Sequence, residues 1–231
     1  MKVILKAENI IKDFEKERVI KGVSLDIYEN TFTAILGPSG SGKSTLLNIL
    51  SGLIRPTQGS VKYGEEMMTT WSERRLADWK RTEAGNIFQE YLLLENLTVE
   101  ENIKIGISSK KGALSFERLV RILEIDDILD KFPAQLSGGQ KQRTAIARAV
   151  IKGPGLLFCD EATGALDEEN SKKVVGLLHD LKSVFGIAVL FTTHNQQIAK
   201  TADRILTMKN GMIYQDVRND APITADAMIW G

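Results

Sequence analysis

Apolar and polar residues alternate through Val23-Ser24-Leu25-Asp26-Ile27, the period-two pattern of a strand with one buried face. Shorter β-rich runs stand at 3–5 and 31–36. The last of these enters a glycine-rich turn, beyond which Leu46, Leu47 and Leu50 recur at helical spacing, so the order is strand, glycine loop, helix. Between 98 and 150 the pattern changes to helical periodicity, clearest over 117–123 and 140–150, with few strand signals. Two nearly continuous apolar runs follow at 156–159 and 187–191, as expected of parallel strands buried on both faces. The helical pattern over 168–182 supplies the crossover between them. At the end, 204–208 and 212–214 flank Asn210-Gly211 and predict a hairpin. There is no internal repeat and no low-complexity tract.

With 231 residues, 43% of them hydrophobic, the chain has the size and core of one large α/β domain or a domain with a subdomain. Acidic and basic residues balance at 30 each, so no overall basic field marks a nucleic-acid partner, and none is expected. The single cysteine, Cys159, cannot form an internal disulfide and reads as a small core residue. No His/Cys cluster has metal-ligand spacing. The opening Met1-Lys2-Val3-Ile4-Leu5-Lys6 has its apolar stretch broken by charge, unlike a signal peptide. No window approaches the roughly 18 apolar residues that span a bilayer, so any membrane role has to come from a partner.

The glycine-rich turn is Gly37-Pro38-Ser39-Gly40-Ser41-Gly42-Lys43-Ser44, which matches G-x-x-x-x-G-K-[ST] between a predicted strand and a predicted helix. Glycines let successive backbone N–H groups converge on phosphate oxygens, and the helix N-terminus adds partial positive charge. Lys43 is then placed for the β and γ phosphates and Ser44 for Mg²⁺. The run at 156–159 ends in Asp160-Glu161, at the strand end where open α/β sheets put their ligand crevice. Asp160 suits Mg²⁺, directly or through water; Glu161, one residue on, projects differently and suits a general base. Alone, such a pair is more often a solvated loop, but a phosphate loop in the same chain reverses that reading. Leu136-Ser137-Gly138-Gly139-Gln140 opens an amphipathic helix. Ser137 and Gln140 make a capping box, and the same N-terminus can present Ser137 and the Gly139 amide to a γ-phosphate.

In order, the phosphate loop, Gln89, the signature at 136–140, Asp160-Glu161, Gly164-Ala165-Leu166-Asp167 and His194 make the chain resemble the ATP-binding cassette of ABC transporters over essentially its whole length. The resemblance implies an α/β fold, with a P-loop NTPase core on a mostly parallel sheet, an N-terminal antiparallel β region and a helical subdomain. One domain then covers 1–231, with 1–90 and 151–231 forming the core and about 91–150 the helical subdomain. ATP and Mg²⁺ are the implied cofactors, with hydrolysis to ADP and phosphate. Two copies sandwich two ATP molecules, each between one copy's phosphate loop and the other's signature. By the same resemblance, Thr45 joins the phosphate loop in binding nucleotide, Gly138 and Gln140 act with Ser137 and Gly139, and Gln89 reaches Mg²⁺ and the attacking water. Asp167 signals between the paired sites, and His194 contacts the γ-phosphate. Phe14 occupies the place of an aromatic that stacks on adenine, or else belongs to the core; stacking implies loose base specificity. Lys12 and Arg18 read as solvated surface. Ala162 stands where many relatives have proline, which should alter loop stiffness more than chemistry.

The stretches 89–102 and 160–167 look most like cassettes of the macrolide-exporter, lipoprotein-release and antimicrobial-peptide-resistance group. That implies a homodimeric ATPase, cytoplasmic and held on the inner face of the cell membrane by a separate transmembrane permease, exporting or extracting peptide, lipoprotein or drug. The apolar residues 91–94 either help form a groove for a permease coupling helix or belong to the helical core. The alternative is an ATP-gated regulatory or binding module without transport. Repair types carry long coiled-coil insertions and translation types paired cassettes, and neither is visible here. Intact Glu161 and His194 weigh against a site without turnover.

Overall fold

The computed structural model describes residues 2–15, 17–108 and 114–229. Strands β1 (Val3–Phe14) and β2 (Glu17–Tyr28) pair antiparallel and run well beyond the apolar stretches at 3–5 and 23–27. Leu5, Ala7 and Ile10 of β1 face Ile20, Val23, Leu25 and Ile27 of β2 in one buried layer, while Lys6 and Glu8 pair on the other side. The register shifts between Ala7 and Ile10, with Asn9 at φ 49; this bulge returns Ile10 to the buried face.

Next, β3 (Phe32–Leu36) leads through the glycine loop into α1 (Lys43–Leu50), and β4 (Gln58–Tyr63) and β5 (Glu66–Met67) return to the first sheet, whose order is β2-β1-β4-β5. Helix α2 (Glu73–Thr82) precedes β6 (Ala84–Ile87). A helical stretch follows, with α3 (Val99–Lys104), α4 (Phe116–Ile122) and α5 (Gly138–Val150). The chain then alternates through β7 (Leu156–Asp160), α6 (Glu168–Phe185), β8 (Ala188–Thr193), α7 (Gln196–Thr201), β9 (Arg204–Lys209) and β10 (Met212–Arg218). The second sheet has the order β10-β9-β3-β8-β7-β6, parallel from β9 to β6 with β10 antiparallel at the edge. Asn210 and Gly211, at φ 50 and 80, form the predicted hairpin turn, which needs left-handed backbone at both central positions.

Successive residues of the central strands enter opposite layers. Phe158 of β7, Leu190 of β8 and Ile35 of β3 pack with α1 and the antiparallel sheet. Cys159, Phe191 and Ala34 pack with α5, α6 and the helical stretch. Burial on both faces is why 156–159 and 187–191 read as unbroken apolar runs. Cys159 is fully buried, and burial pushes its thiol pKa up, so it stays protonated as a core residue. Val99, Ile103, Leu119 and Ile146 share one apolar cluster with Val189 and Phe191, so the helical stretch is built onto the sheet's own core. Among the described residues no helix is long and apolar enough to cross a membrane.

Candidate active site

The parallel strands bring their C-terminal ends to one rim. Leu36 pairs with Thr193, and the Gly37 N–H donates to the Thr193 carbonyl at 3.2 Å, so the glycine loop leaves the sheet between β3 and β8. A Cβ on Gly37 would overlap the Met208 carbonyl oxygen, and Gly42, at φ 98, adopts a conformation that side chains oppose. The hairpin pins the loop from outside, where the Gly211 N–H donates to the Ser41 carbonyl at 3.0 Å. Helix α1 starts behind Gly42 without a side-chain cap and with no acidic residue in its first turn. The Ser41 hydroxyl is buried without a hydrogen-bond partner. Lys43, only 4% exposed, donates to the carbonyls of Gly37 at 2.9 Å and Pro38 at 3.0 Å, with Glu161 Oε1 at 3.5 Å. An uncapped helix start, an orphan hydroxyl and a buried ammonium together make an anion cradle that fits the phosphates of a nucleotide.

Asp160, the last residue of β7, lies opposite Thr192 of β8. Its Oδ1 accepts from Ser44 Oγ at 2.8 Å and from Thr192 Oγ1 at 2.7 Å. A hydroxyl and a carboxylate thus meet beside the loop, the hard-oxygen donor set that suits Mg²⁺. Glu161 turns away, at φ 44. Its carboxylate faces Lys43 and, through Oε2, His194 Nδ1 at 3.6 Å. The two acids therefore diverge, as adjacent positions at a strand end require. A cleft of about 160 Å³ is lined there by Glu161, Gly164, Thr193 and His194. Gln89, exposed beyond β6, lies against Gly164, where an added Cβ would meet its Nε2 at 3.0 Å. Lys43, Glu161 and His194 thus converge on the rim, and Gln89 stands beside them only through its contact with Gly164. A larger cleft, about 750 Å³, lies elsewhere beside Tyr28, and its charged walls are closed by the Lys182–Asp203 and Arg204–Asp216 pairs.

Residues 20–164 match the ABC transporter family. The chain is 39% identical over 220 residues to the bacitracin export ATP-binding protein BceA of Halalkalibacterium halodurans, an alignment covering 91% of this chain and 87% of that protein. The chain belongs to the ABC transporter family. This ABC cassette is also 41% identical over 214 residues to the macrolide export ATP-binding/permease protein MacB of Escherichia coli strain K12, covering 90% of this chain but only 32% of MacB. The dimeric structure of MJ0796, a bacterial ABC transporter cassette, matches it with a TM-score of 0.84 at 34% identity, over 94% of this chain and 99% of that one. A second MJ0796 structure is a post-hydrolysis state bound to ADP and Pi. The family is that of ATP-binding ATPases.

In this ABC cassette the signature opens α5. The capping box forms: Ser137 Oγ accepts from the Gln140 N–H at 3.3 Å, and Gln140 Oε1 accepts from the Ser137 N–H at 2.9 Å. Gly139 packs on Asn170, whose amide side chain donates to Asp167 Oδ2 at 2.8 Å; Gly138 lies against Tyr91 and Leu166. Asp167 caps α6 by accepting from the Asn170 N–H at 2.8 Å, and these hydrogen bonds hold its carboxyl below the usual range. Among the described residues, no hydrogen bond or ion pair joins the signature to the phosphate loop.

Phe14, at the end of β1, is 44% exposed, so it is not core, and the Lys12 ammonium sits 4.9 Å over its ring. Lys12 and Arg18 lie at the surface, where Lys12 donates to the Arg55 carbonyl at 2.9 Å and Arg18 to Asp13 at 2.8 Å. Ala162 is buried at 2% exposure. Leu92 and Leu94 are 50% and 46% exposed, so of the two readings of 91–94 the helical core does not hold for them. Sequence reasoning did not single out Thr192 or Arg148. A threonine in an apolar strand reads as a β-branched core residue, and one arginine in an amphipathic helix reads as surface.

Proposed function

We propose that this ABC cassette is the ATPase subunit of an exporter or extractor, in which two copies close head to tail around two ATP molecules and drive a separate transmembrane permease. The observation that supports this best is the division of the site. Within one chain the phosphate cradle gathers with Asp160, Glu161 and His194, while Ser137 and Gly139 gather with Asp167 and Asn170. A second copy supplies the missing half, an arrangement consistent with the likeness to dimeric MJ0796.

In this reading Gly37, Pro38, Ser39, Gly40, Ser41, Gly42, Lys43, Ser44 and Thr45 hold the phosphates, and Phe14 stacks on the base. Ser44 and Asp160 would hold Mg²⁺ with help from Gln89, and the ion would neutralise charge on the β and γ phosphates. Glu161 accepts the proton of the attacking water as the bond to the γ-phosphorus forms and the bond to the ADP oxygen breaks. His194, facing Glu161, contacts the γ-phosphate. The partner's Ser137, Gly138, Gly139 and Gln140 close over the same phosphate from the far side, and Asp167 links the two sites. Exposed Leu92 and Leu94 suit the groove that receives a permease segment, which would hold the cassette on the cytoplasmic face of the membrane. Bacitracin export and macrolide export, the named activities of BceA and MacB, support a peptide or drug as cargo; a lipoprotein rests on the resemblance of 89–102 and 160–167 alone.

Glu161→Gln tests this. ATP turnover is expected to fall by about 10²–10⁴-fold, and light scattering after size exclusion in ATP should show a dimer. A strictly monomeric variant at high concentration overturns the closing mechanism. Affinity capture of the chain from gently solubilised native membranes should bring a multi-span permease. Reproducible recovery of soluble partners alone would favour an ATP-gated module.

A further inference from the structure

Thr192 is fully buried in β8, one residue before Thr193 and two before His194. The pairing of β7 with β8 sets it opposite Asp160. Its hydroxyl donates to Asp160 Oδ1 at 2.7 Å and accepts the Glu161 N–H at 3.0 Å. The Cys159 carbonyl, at 3.4 Å, is a longer alternative for the same proton, and the short bond to a carboxylate is the stronger one. One side chain therefore binds both acids of the site, the first through its carboxylate and the second through its backbone.

Both contacts fall where the chain needs them. Glu161 leaves the strand at φ 44, a left-handed conformation that a non-glycine residue keeps only when its surroundings enforce it. That turn aims its carboxylate at Lys43 and His194 rather than along Asp160. The Asp160 carboxylate is held by two hydroxyls on one oxygen, Ser44 from α1 and Thr192 from β8. Packing alone would be served by valine, which has the same branched shape and suits a strand buried on both faces.

We propose that Thr192 is a positioning residue for ATP hydrolysis, locking the Asp160 carboxylate and the left-handed turn that directs Glu161. This rests on the site reading proposed above. Removing the hydroxyl leaves the Glu161 N–H without its partner and Asp160 with one hydroxyl donor fewer.

The comparison is Thr192→Val against Thr192→Ser, with Asp160→Asn and Glu161→Gln run alongside. Thr192→Val should lower kcat by about 10–100-fold while KM for ATP stays within about threefold, and should raise the half-saturating Mg²⁺ concentration; Thr192→Ser should restore most of kcat. In the nucleotide-free protein, hydrogen exchange at the Glu161 amide should speed up by roughly tenfold or more in the valine variant and not in the serine variant. Wild-type kcat in Thr192→Val, or an equal loss in both variants, overturns the proposal. If valine prevents folding, Thr192→Ala is read against serine in the same way. Wild-type turnover in Asp160→Asn and Glu161→Gln would overturn the site reading itself, whereas their inactivity beside an unaffected Thr192→Val would overturn only the role of Thr192.

Discussion

The guanidinium of Arg148, on the helix that begins with the signature, donates to the Leu92 carbonyl at 2.6 Å and to the Tyr91 carbonyl at 2.9 Å. Tyr91 and Leu92 both sit in the left-handed region, at φ 59 and 50. The segment just after Gln89 is therefore held in a strained shape by α5. Arg148→Ala would release two charge-assisted hydrogen bonds at a cost of about 2–4 kcal/mol, and calorimetry should show Tm falling by roughly 5–10 °C for a chain of this size. An unchanged Tm would mean that the clamp adds no net stability.

Phe14 offers a half-exposed ring face, and losing it should weaken nucleotide binding without unfolding the protein. Base stacking on an aromatic ring contributes about 1–3 kcal/mol. Titration with a fluorescent ATP analogue should give a Kd roughly tenfold higher in Phe14→Ala and near wild type in Phe14→Trp. Equal affinity in all three proteins would place the adenine elsewhere.

His179 stacks on Phe32 with ring centroids 4.3 Å apart, and its Nε2 lies 3.0 Å from Thr201 Oγ1. Burial first and the Lys182 charge second push its pKa down to about 4, against a smaller opposing pull from Asp203. A base whose pKa is depressed by folding stabilises the fold above its unfolded pKa of about 6.5 and loses that contribution as pH falls toward the folded value. Urea unfolding should show His179 accounting for up to about 2 kcal/mol of the stability lost between pH 7 and pH 5. Relative to wild type, His179→Gln should have a flatter profile in that window, and parallel profiles would refute the assignment.

Two glycines of the phosphate loop should respond differently to alanine. At Gly37 the new methyl meets the Met208 backbone carbonyl, which no rotamer change can relieve, so the loop must shift and nucleotide affinity should fall more than tenfold. Gly40 has open space but φ 75, so alanine there costs only the left-handed strain of about 1–2 kcal/mol. Binding and unfolding measured on both variants should separate displacement at Gly37 from strain at Gly40.

Much of the candidate site was legible because its chemistry is local. The phosphate loop, the strand end at Asp160-Glu161 and the Ser137-Gln140 cap are short strings whose spacing determines what they can do. The buried parallel strands were legible from their unbroken apolar runs. Strand β1 was legible only in part, since Lys6, Glu8, Lys12 and Asp13 interrupt its apolar positions and the bulge at Asn9 breaks the alternation. Helix α2 escaped notice because only Leu76 and Trp79 are buried on it, although Ser72 accepts from the Arg75 N–H as an N-cap should. The clamp from Arg148 and the double bond from Thr192 depend on strand register and on contacts between residues distant in sequence. No one-dimensional pattern contains those.

The phosphate cradle also bears on how firmly the chain folds. An uncapped helix start and a buried hydroxyl without a partner are liabilities in the free protein that phosphate oxygens remove. Whatever binds the folded chain and not the unfolded one raises its stability with the logarithm of concentration, about 2.7 kcal/mol at a hundred times Kd. This cassette's resistance to unfolding and proteolysis should therefore rise with the concentration of any nucleotide whose phosphates fill the cradle, ADP as well as ATP, and limited proteolysis across a nucleotide titration should show it.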